Sequence, residues 1–135
     1  MDVNRFFYDL DDMLSKGKAK EAVQYVNEAE SYYKEALSLI EEMGAAESES
    51  HGTTLINYGT CLGNSGRFDE AAEMFSRAAE ILSKLGMASD YRMAALYNNM
   101  SWIAQERGEL QDAEDYLNKA VFLLRTVDDS EGEQA

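Results

Sequence analysis

Histidine and cysteine, two residue types that often carry out catalysis, are rare in this sequence. His51 is the only histidine and Cys61 the only cysteine, whereas nucleophilic catalysis needs a nucleophile beside a base, and a metal centre needs several ligands at suitable spacing. No cysteine or acidic cluster stands at that spacing around His51, and Cys61, between Thr60 and Leu62, has the pattern of a small buried residue. The segment GNSGR lacks the lysine and hydroxyl of a Walker phosphate loop. We therefore expect a protein that is not an enzyme and holds no metal or cofactor.

Two asparagines offer a different chemistry. Asn57 and Asn99 are 42 residues apart, and each side-chain amide carries both donors and an acceptor, as a peptide backbone requires of a binding partner. A simpler interpretation is that each asparagine only caps or solvates a helix face, although asparagine is a mediocre helix former. The choice between the two depends on the elements that position these side chains.

Those elements recur along the chain. The segment GRFDEAAEMFSRA at 66–78 is followed at 108–120 by GELQDAEDYLNKA, which keeps the glycine and two of the three alanines. Apolar residues follow steps of three and four, which place one stripe along a helix face. Three copies of the stripe share one register: Val26, Ala29, Tyr33, Ala36, Ile40 and Met43; Phe68, Ala71, Phe75, Ala78, Leu82 and Leu85; Leu110, Ala113, Leu117, Ala120, Leu124 and Val127.

Glycines indicate short helices rather than one long coiled coil. A period of 42 is a multiple of seven and so also fits heptads, but glycines such as Gly66 would each cost about 1 kcal/mol inside a continuous helix. Gly44 and Gly86 stand where a helix end prefers a left-handed residue, and Ser48 and Asp90 are suited to cap the helices that follow.

The predicted organisation is one all-α domain at 1–127. Helices are expected at about 3–16, 18–43, 48–65, 67–85, 90–107 and 109–127, followed by a frayed acidic tail at 128–135. They pair into hairpins at about 3–43, 48–85 and 90–127. No such hairpin can bury its apolar faces alone, so the three must stack on one another.

The charge of the chain limits its partners. Twelve basic and 26 acidic residues give a net charge of -14, which repels phosphate backbones and anionic lipids, so neither nucleic acid nor a membrane is an expected partner. A basic segment of another protein would be attracted, although an acidic surface more often serves solubility. The absence of a secretory signal pattern and the single cysteine predict a cytoplasmic location.

The middle copy resembles the tetratricopeptide repeat family. The matching residues are Leu55, Tyr58, Gly59, Leu62, Gly66, Phe68, Ala71, Phe75 and Ala78. The third copy fits in part, with Ser101 and Ala104 departing from the pattern, and the first copy has Gln24 at the turn glycine. The 42-residue period is similar to the long repeats of kinesin light chains and bacterial repeat proteins, while HEAT and armadillo units have comparable lengths. The resemblance implies a right-handed superhelix, or α-solenoid, of about three stacked antiparallel hairpins.

The resemblance also implies a peptide-binding groove along the first helix of each hairpin. It places nine residues there: Ile56, Asn57, Thr60, Asn64, Asn98, Asn99, Trp102, Gln105 and Glu106. Asn57 and Asn99 would hold a peptide backbone, and Trp102 would either anchor a ligand side chain or belong to the core. None of the nine is basic, which disfavours acidic ligands. Arg92 and Arg107 fall near predicted helix ends and are expected to be solvated, whereas Lys16, Lys18 and Lys20 remain near the poorly matched first hairpin. The implied function is a protein-interaction scaffold with a protein or peptide partner, of which a basic one is a candidate.

A second interpretation concerns the end of the repeat array. Repeat arrays normally end in a polar capping helix, yet the last predicted helix carries Val121, Phe122 and Leu124. A second copy of the chain, a longer array or the folded-back tail would cover these residues. Self-association as a homodimer is therefore the alternative function, and a peptide-sensing regulatory domain is a further variant of the groove interpretation.

Overall fold

The described part of the chain is built only from α-helices. The structure, a computed structural model, describes the backbone of residues 3–134 and the side chains of residues 5–126 other than those of residues 6, 14 and 19. The helices are α1 (Val3–Ser15), α2 (Ala19–Glu42), α3 (Glu49–Asn64), α4 (Phe68–Lys84), α5 (Tyr91–Glu106) and α6 (Leu110–Gln134). Each helix packs on the next one along the chain, and α3 also contacts α5. The predicted all-α solenoid of helical hairpins is confirmed.

Glycines and caps end and begin the helices where the sequence predicts. Gly66 and Gly108 have φ angles of 83° and 76°, a left-handed conformation that favours glycine. At the first of these turns the Arg67 amide donates to the Leu62 carbonyl at 2.9 Å, which satisfies a carbonyl at the end of α3. Ser48 accepts from the backbone of His51, and Asp90 accepts from that of Arg92. Both predicted caps are confirmed.

Small residues let the helices approach closely. A Cβ atom on Gly59 of α3 would lie 2.8 Å from the Phe75 ring of α4, closer than nonbonded carbons approach. A Cβ on Gly63 would likewise lie 2.6 Å from Cη2 of Trp102 in α5. Gly59 therefore sets the spacing within the middle hairpin, and Gly63 sets the spacing between neighbouring hairpins.

The last helix is longer than the sequence predicts. α6 continues to Gln134, whereas the expected helix ends near residue 127 and gives way to an acidic tail at 128–135. This segment has no proline, and its single glycine, Gly132, costs only about 1 kcal/mol in a helix. Nothing in its composition forces the helix to stop at 127. Residue 135 lies outside the described residues.

A polar cluster joins the first hairpin to the second. The Tyr58 hydroxyl of α3 donates to Glu30 of α2 at 3.0 Å, and Arg67 donates to both Glu30 and Glu70. Burial raises the pKa of Glu30, but the hydrogen bonds from Tyr58 and Arg67 outweigh it and hold that pKa below its ordinary value of 4.5. Arg107 takes a similar position one hairpin later, since it pairs with Asp69 at 3.0 Å. Arg107 is exposed, as the sequence predicts, and its guanidinium also pairs with α4.

Glu30→Gln is expected to lower the free energy of unfolding by about 1 to 2 kcal/mol at neutral pH, because charge-assisted hydrogen bonds are lost. A carboxylate whose pKa is depressed in the folded state stabilises fully above its unfolded pKa and loses that contribution as the pH falls through the folded value. The difference between parent and variant should therefore shrink as the pH drops below 4.5. Urea unfolding at several pH values measures this difference. Glu28→Gln, an exposed change on the same helix, serves as the control, and an equal loss in both variants would contradict the role of the cluster.

Candidate functional site

A pocket lies between the first helices of the second and third hairpins. It encloses about 220 Å³. Its lining residues are Thr53 and Ile56 of α3, Leu82 of α4, and Arg92, Ala95, Leu96 and Asn99 of α5. Leu82 and Leu96 are buried, Ile56 and Asn99 are half-buried, and Thr53 and Ala95 are exposed. The pocket therefore has an apolar floor with polar groups at its rim.

The structure brings two of the nine predicted groove residues, Ile56 and Asn99, together at this pocket. Asn57 is half-buried on α3, next to Ile56 in sequence but not part of the pocket lining. Within the described part of the chain, no hydrogen bond engages the amide of Asn57 or of Asn99. Neither asparagine caps a helix, since Ser48 and Asp90 do so. Both amides are thus available to a ligand or to water.

The remaining polar residues of the predicted set occupy the rest of the first-helix faces. Thr60 is half-buried, and its hydroxyl donates to the Ile56 carbonyl at 2.9 Å, as helical threonines often do. Gln105 lies 3.4 Å from the Ser101 hydroxyl. The others, Asn64, Asn98 and Glu106, are exposed. They supply hydrophilic surface beside the pocket without lining it.

Trp102 has a structural part in the fold. Its side chain is half-buried and packs on the hydrophobic core, with the six-membered ring against Gly63 of α3. Much of the indole therefore fills the space between α3 and α5. Only the part of the ring that stays exposed is available for the ligand contact that the sequence predicts.

Arg92 reaches the pocket although the sequence predicts a solvated residue at the helix end. Its guanidinium donates to Glu49 at 2.9 Å and to Asp90 at 3.1 Å. Hydrogen bonds to Asp90 and then to Glu49 raise the pKa of Arg92, and the same contacts lower the pKa of Asp90. Arg92 is the second residue of α5, and its partners Asp90 and Glu49 are 2 and 43 residues away along the chain. The pairing with Glu49 leaves no local signal in the sequence.

Cys61 and His51 are both buried, and their surroundings indicate a structural role for each. Burial raises the pKa of the Cys61 thiol to about 11, with a smaller contribution from the charge of Glu30, so the reactive thiolate is scarce at neutral pH. The His51 ring is buried, and its Nδ1 lies 2.6 Å from the Ala46 carbonyl. Across the described residues, no group of three or more histidine, cysteine or acidic side chains is placed to hold a metal ion.

The outer face of α6 is apolar and open. Phe75 and Leu82 of α4 are 0% and 3% exposed, while their counterparts in α6, Leu117 and Leu124, are 39% and 50% exposed. The α5 helix contributes to covering α4, and no described helix follows α6 to cover it in the same way. Two further residues of the predicted self-association set, Val121 and Phe122, are 43% and 69% exposed. The sequence prediction missed Leu117, whose place in the repeated stripe would have identified it.

Comparisons with known proteins give a family and a fold. The family model for the tetratricopeptide repeat matches residues 13–84 and 50–125. The crystal structure of the TPR domain of Arabidopsis FLU is similar to this chain, with a TM-score of 0.67 and 21% sequence identity. The similarity covers 90% of this chain and 98% of that one, and at this identity it shows the fold alone.

No curated protein matches the chain. Among the described residues, no helix is both long enough and apolar enough to cross a bilayer. The two family matches together span most of the sequence, and they coincide with the stacked hairpins from α2 to α6. The chain belongs to the tetratricopeptide repeat family.

Proposed function

We propose that this chain is a non-catalytic scaffold that binds a peptide segment of a partner protein in the groove along α3 and α5. Tetratricopeptide repeats generally mediate protein–protein interactions. The observation that carries the proposal is the pocket of about 220 Å³ with the uncommitted amide of Asn99 at its rim. A peptide-sensing regulatory domain would use the same groove and differ only in the consequence of binding.

The groove combines the two features that peptide recognition needs. An amide that is not already hydrogen-bonded within the protein can donate to a peptide carbonyl and accept from a peptide N–H without first breaking an internal bond. An apolar pocket beside it can take up a side chain of the same peptide and so fix its register. Asn57 supplies a second such amide on the neighbouring helix.

Selection of a diverse displayed peptide library on the purified chain tests this proposal. We expect the parent to enrich a common motif and the Asn57→Ala, Asn99→Ala double variant to lose that enrichment. The matched control is Asn27→Ala, Asn118→Ala, which makes the same chemical change at exposed positions on α2 and α6. Thermal unfolding should be alike for all three proteins. Equal enrichment by the parent and the groove variant would contradict the proposal.

Self-association through α6 is a second candidate function, supported by the exposed apolar residues Leu117, Val121 and Leu124. On α4 the counterpart face is covered in part by α5. A second copy of the chain packed on α6 would cover these residues in the same way and remove their apolar surface from water. Sedimentation equilibrium over a wide concentration range should then show a dimer, and Val121→Ser, Leu124→Ser should shift it to monomer. A monomer at the highest concentrations would count against this candidate.

A further inference from the structure

The net charge of the chain is not shared by the groove. From Ser50 to Asn64 the α3 helix contains no Asp, Glu, Lys or Arg, and α5 contains none from Met93 to Gln105. The second helices of the hairpins, α2, α4 and α6, carry most of the acids instead. α4 contributes Asp69, Glu70, Glu73 and Glu80, and Arg67, Lys84 and Arg107 pair with three of these carboxylates. The long-range attraction for a basic partner therefore comes from residues outside the pocket lining.

Arg92 is the charged residue among those that line the pocket, and it is hydrogen-bonded to two carboxylates outside the lining, so the three groups together carry one net negative charge. Arg92 holds three hydrogen bonds to the carboxylates of Glu49 and Asp90 through its guanidinium. An acidic ligand would have to compete with these two carboxylates. A lysine or arginine would have to leave water for an apolar floor with no carboxylate among the pocket-lining residues, and burial of an unpaired charge is costly.

The lining of the pocket suits an apolar side chain. Ile56, Leu82 and Leu96 are its most buried apolar residues, and the exposed Ala95 lines it with Thr53 and Asn99. These apolar side chains favour a ligand group without charge. The neighbouring groove residues Asn57, Thr60 and Asn98 add hydrogen-bonding groups but no charge, and the one acid of the predicted groove, Glu106, does not line the pocket.

We infer that the groove selects an uncharged peptide segment and places one apolar side chain of that segment in the pocket between α3 and α5. The inference rests on the proposed function, and it replaces the basic partner that the net charge suggested. The acidic second helices then serve solubility rather than recognition. Because the contacts are uncharged, binding is expected to be insensitive to salt.

Three displayed peptide pools of equal length test the inference: one without charged residues, one enriched in lysine and arginine, and one enriched in aspartate and glutamate. We expect enrichment from the uncharged pool, with a shared apolar residue in the selected motif. The best synthetic peptide should bind with an affinity that changes less than about twofold between low and high NaCl, since no ion pair is screened. Enrichment from the basic pool, or tighter binding at low salt by tenfold or more, would overturn the inference.

Ala95→Leu provides the second arm, because the larger side chain fills the mouth of the pocket from an exposed position that the fold does not need. It is expected to weaken the selected peptide at least about tenfold, whereas Ala46→Leu, the same change at an exposed alanine outside the groove, should leave the affinity unchanged. Unchanged binding by Ala95→Leu would overturn the inference.

A charged motif that still depends on Asn57 and Asn99 would leave the proposed function standing and remove only the inference. A parent chain that enriches nothing from any pool would remove both.

Discussion

Phe75→Ala is expected to lower the free energy of unfolding by about 3 to 5 kcal/mol, because it deletes a fully buried aromatic ring and leaves a cavity. The ring is 0% exposed and packs against Gly59 of the neighbouring helix. At Gly59, α3 has no side chain that could fill the space. Chemical denaturation followed by circular dichroism measures the loss.

The matched comparison is Leu117→Ala, at the counterpart position in α6. Leu117 is 39% exposed, so its removal should cost less than about 2 kcal/mol, because little buried surface is lost. A loss below about 1 kcal/mol for Phe75→Ala would mean that the middle hairpin does not pack as described.

Gly63→Leu is expected to have the second largest effect, because a side chain at this position cannot coexist with Trp102. The added Cβ would lie 2.6 Å from Cη2 of Trp102 and 2.9 Å from Cδ1 of Ile103, so α5 must move away from α3. Overpacking of this kind costs about 1 to 3 kcal/mol and sometimes more. The better helix propensity of leucine returns only about 1 kcal/mol of it.

Trp102 is the only tryptophan, and its fluorescence reports the change directly. We expect a red-shifted emission in Gly63→Leu, since the ring loses its contact with α3. Trp102→Leu combined with Gly63→Leu should be more stable than the sum of the two single changes predicts, because the clash has been removed. Strict additivity, or an unshifted emission spectrum, would contradict the close approach of α3 and α5 at this point.

Signals within a few residues of one another explain why the positions of the helices could be predicted from the sequence. The stripe of apolar residues places each helix face, and Ser48, Asp90 and the turn glycines mark helix ends through interactions within a few residues. The end of α6 was missed because no such signal exists there. Between residues 127 and 134 the sequence has neither a proline nor a capping motif, so composition alone suggested a tail.

Contacts between hairpins were beyond the reach of the sequence. Leu82 belongs to α4, yet it forms part of the pocket floor, and Arg92 reaches the rim because Glu49 holds it from another hairpin. Trp102 likewise packs on a glycine 39 positions earlier. Periodicity assigns a residue to a face of its own helix, but it does not say which distant helix covers that face.

The net charge of the whole chain does not describe the charge of the pocket lining, for a similar reason. Composition sums over all faces of the molecule, whereas a ligand meets only one of them. In this chain most of the acids stand on the second helices, and the first helices that line the pocket are uncharged from Ser50 to Asn64 and from Met93 to Gln105. The fold keeps the acidic residues out of the pocket lining, although these residues determine the net charge of the chain.

The groove along α3 and α5 is the proposed binding surface, and an NMR titration of the 15N-labelled chain with the selected uncharged peptide tests this directly. We predict that the largest amide shifts fall on Thr53, Ile56, Asn57, Ala95 and Asn99. Shifts confined instead to α6, around Leu117, Val121 and Leu124, would contradict the account and make the open face of the last helix the binding surface.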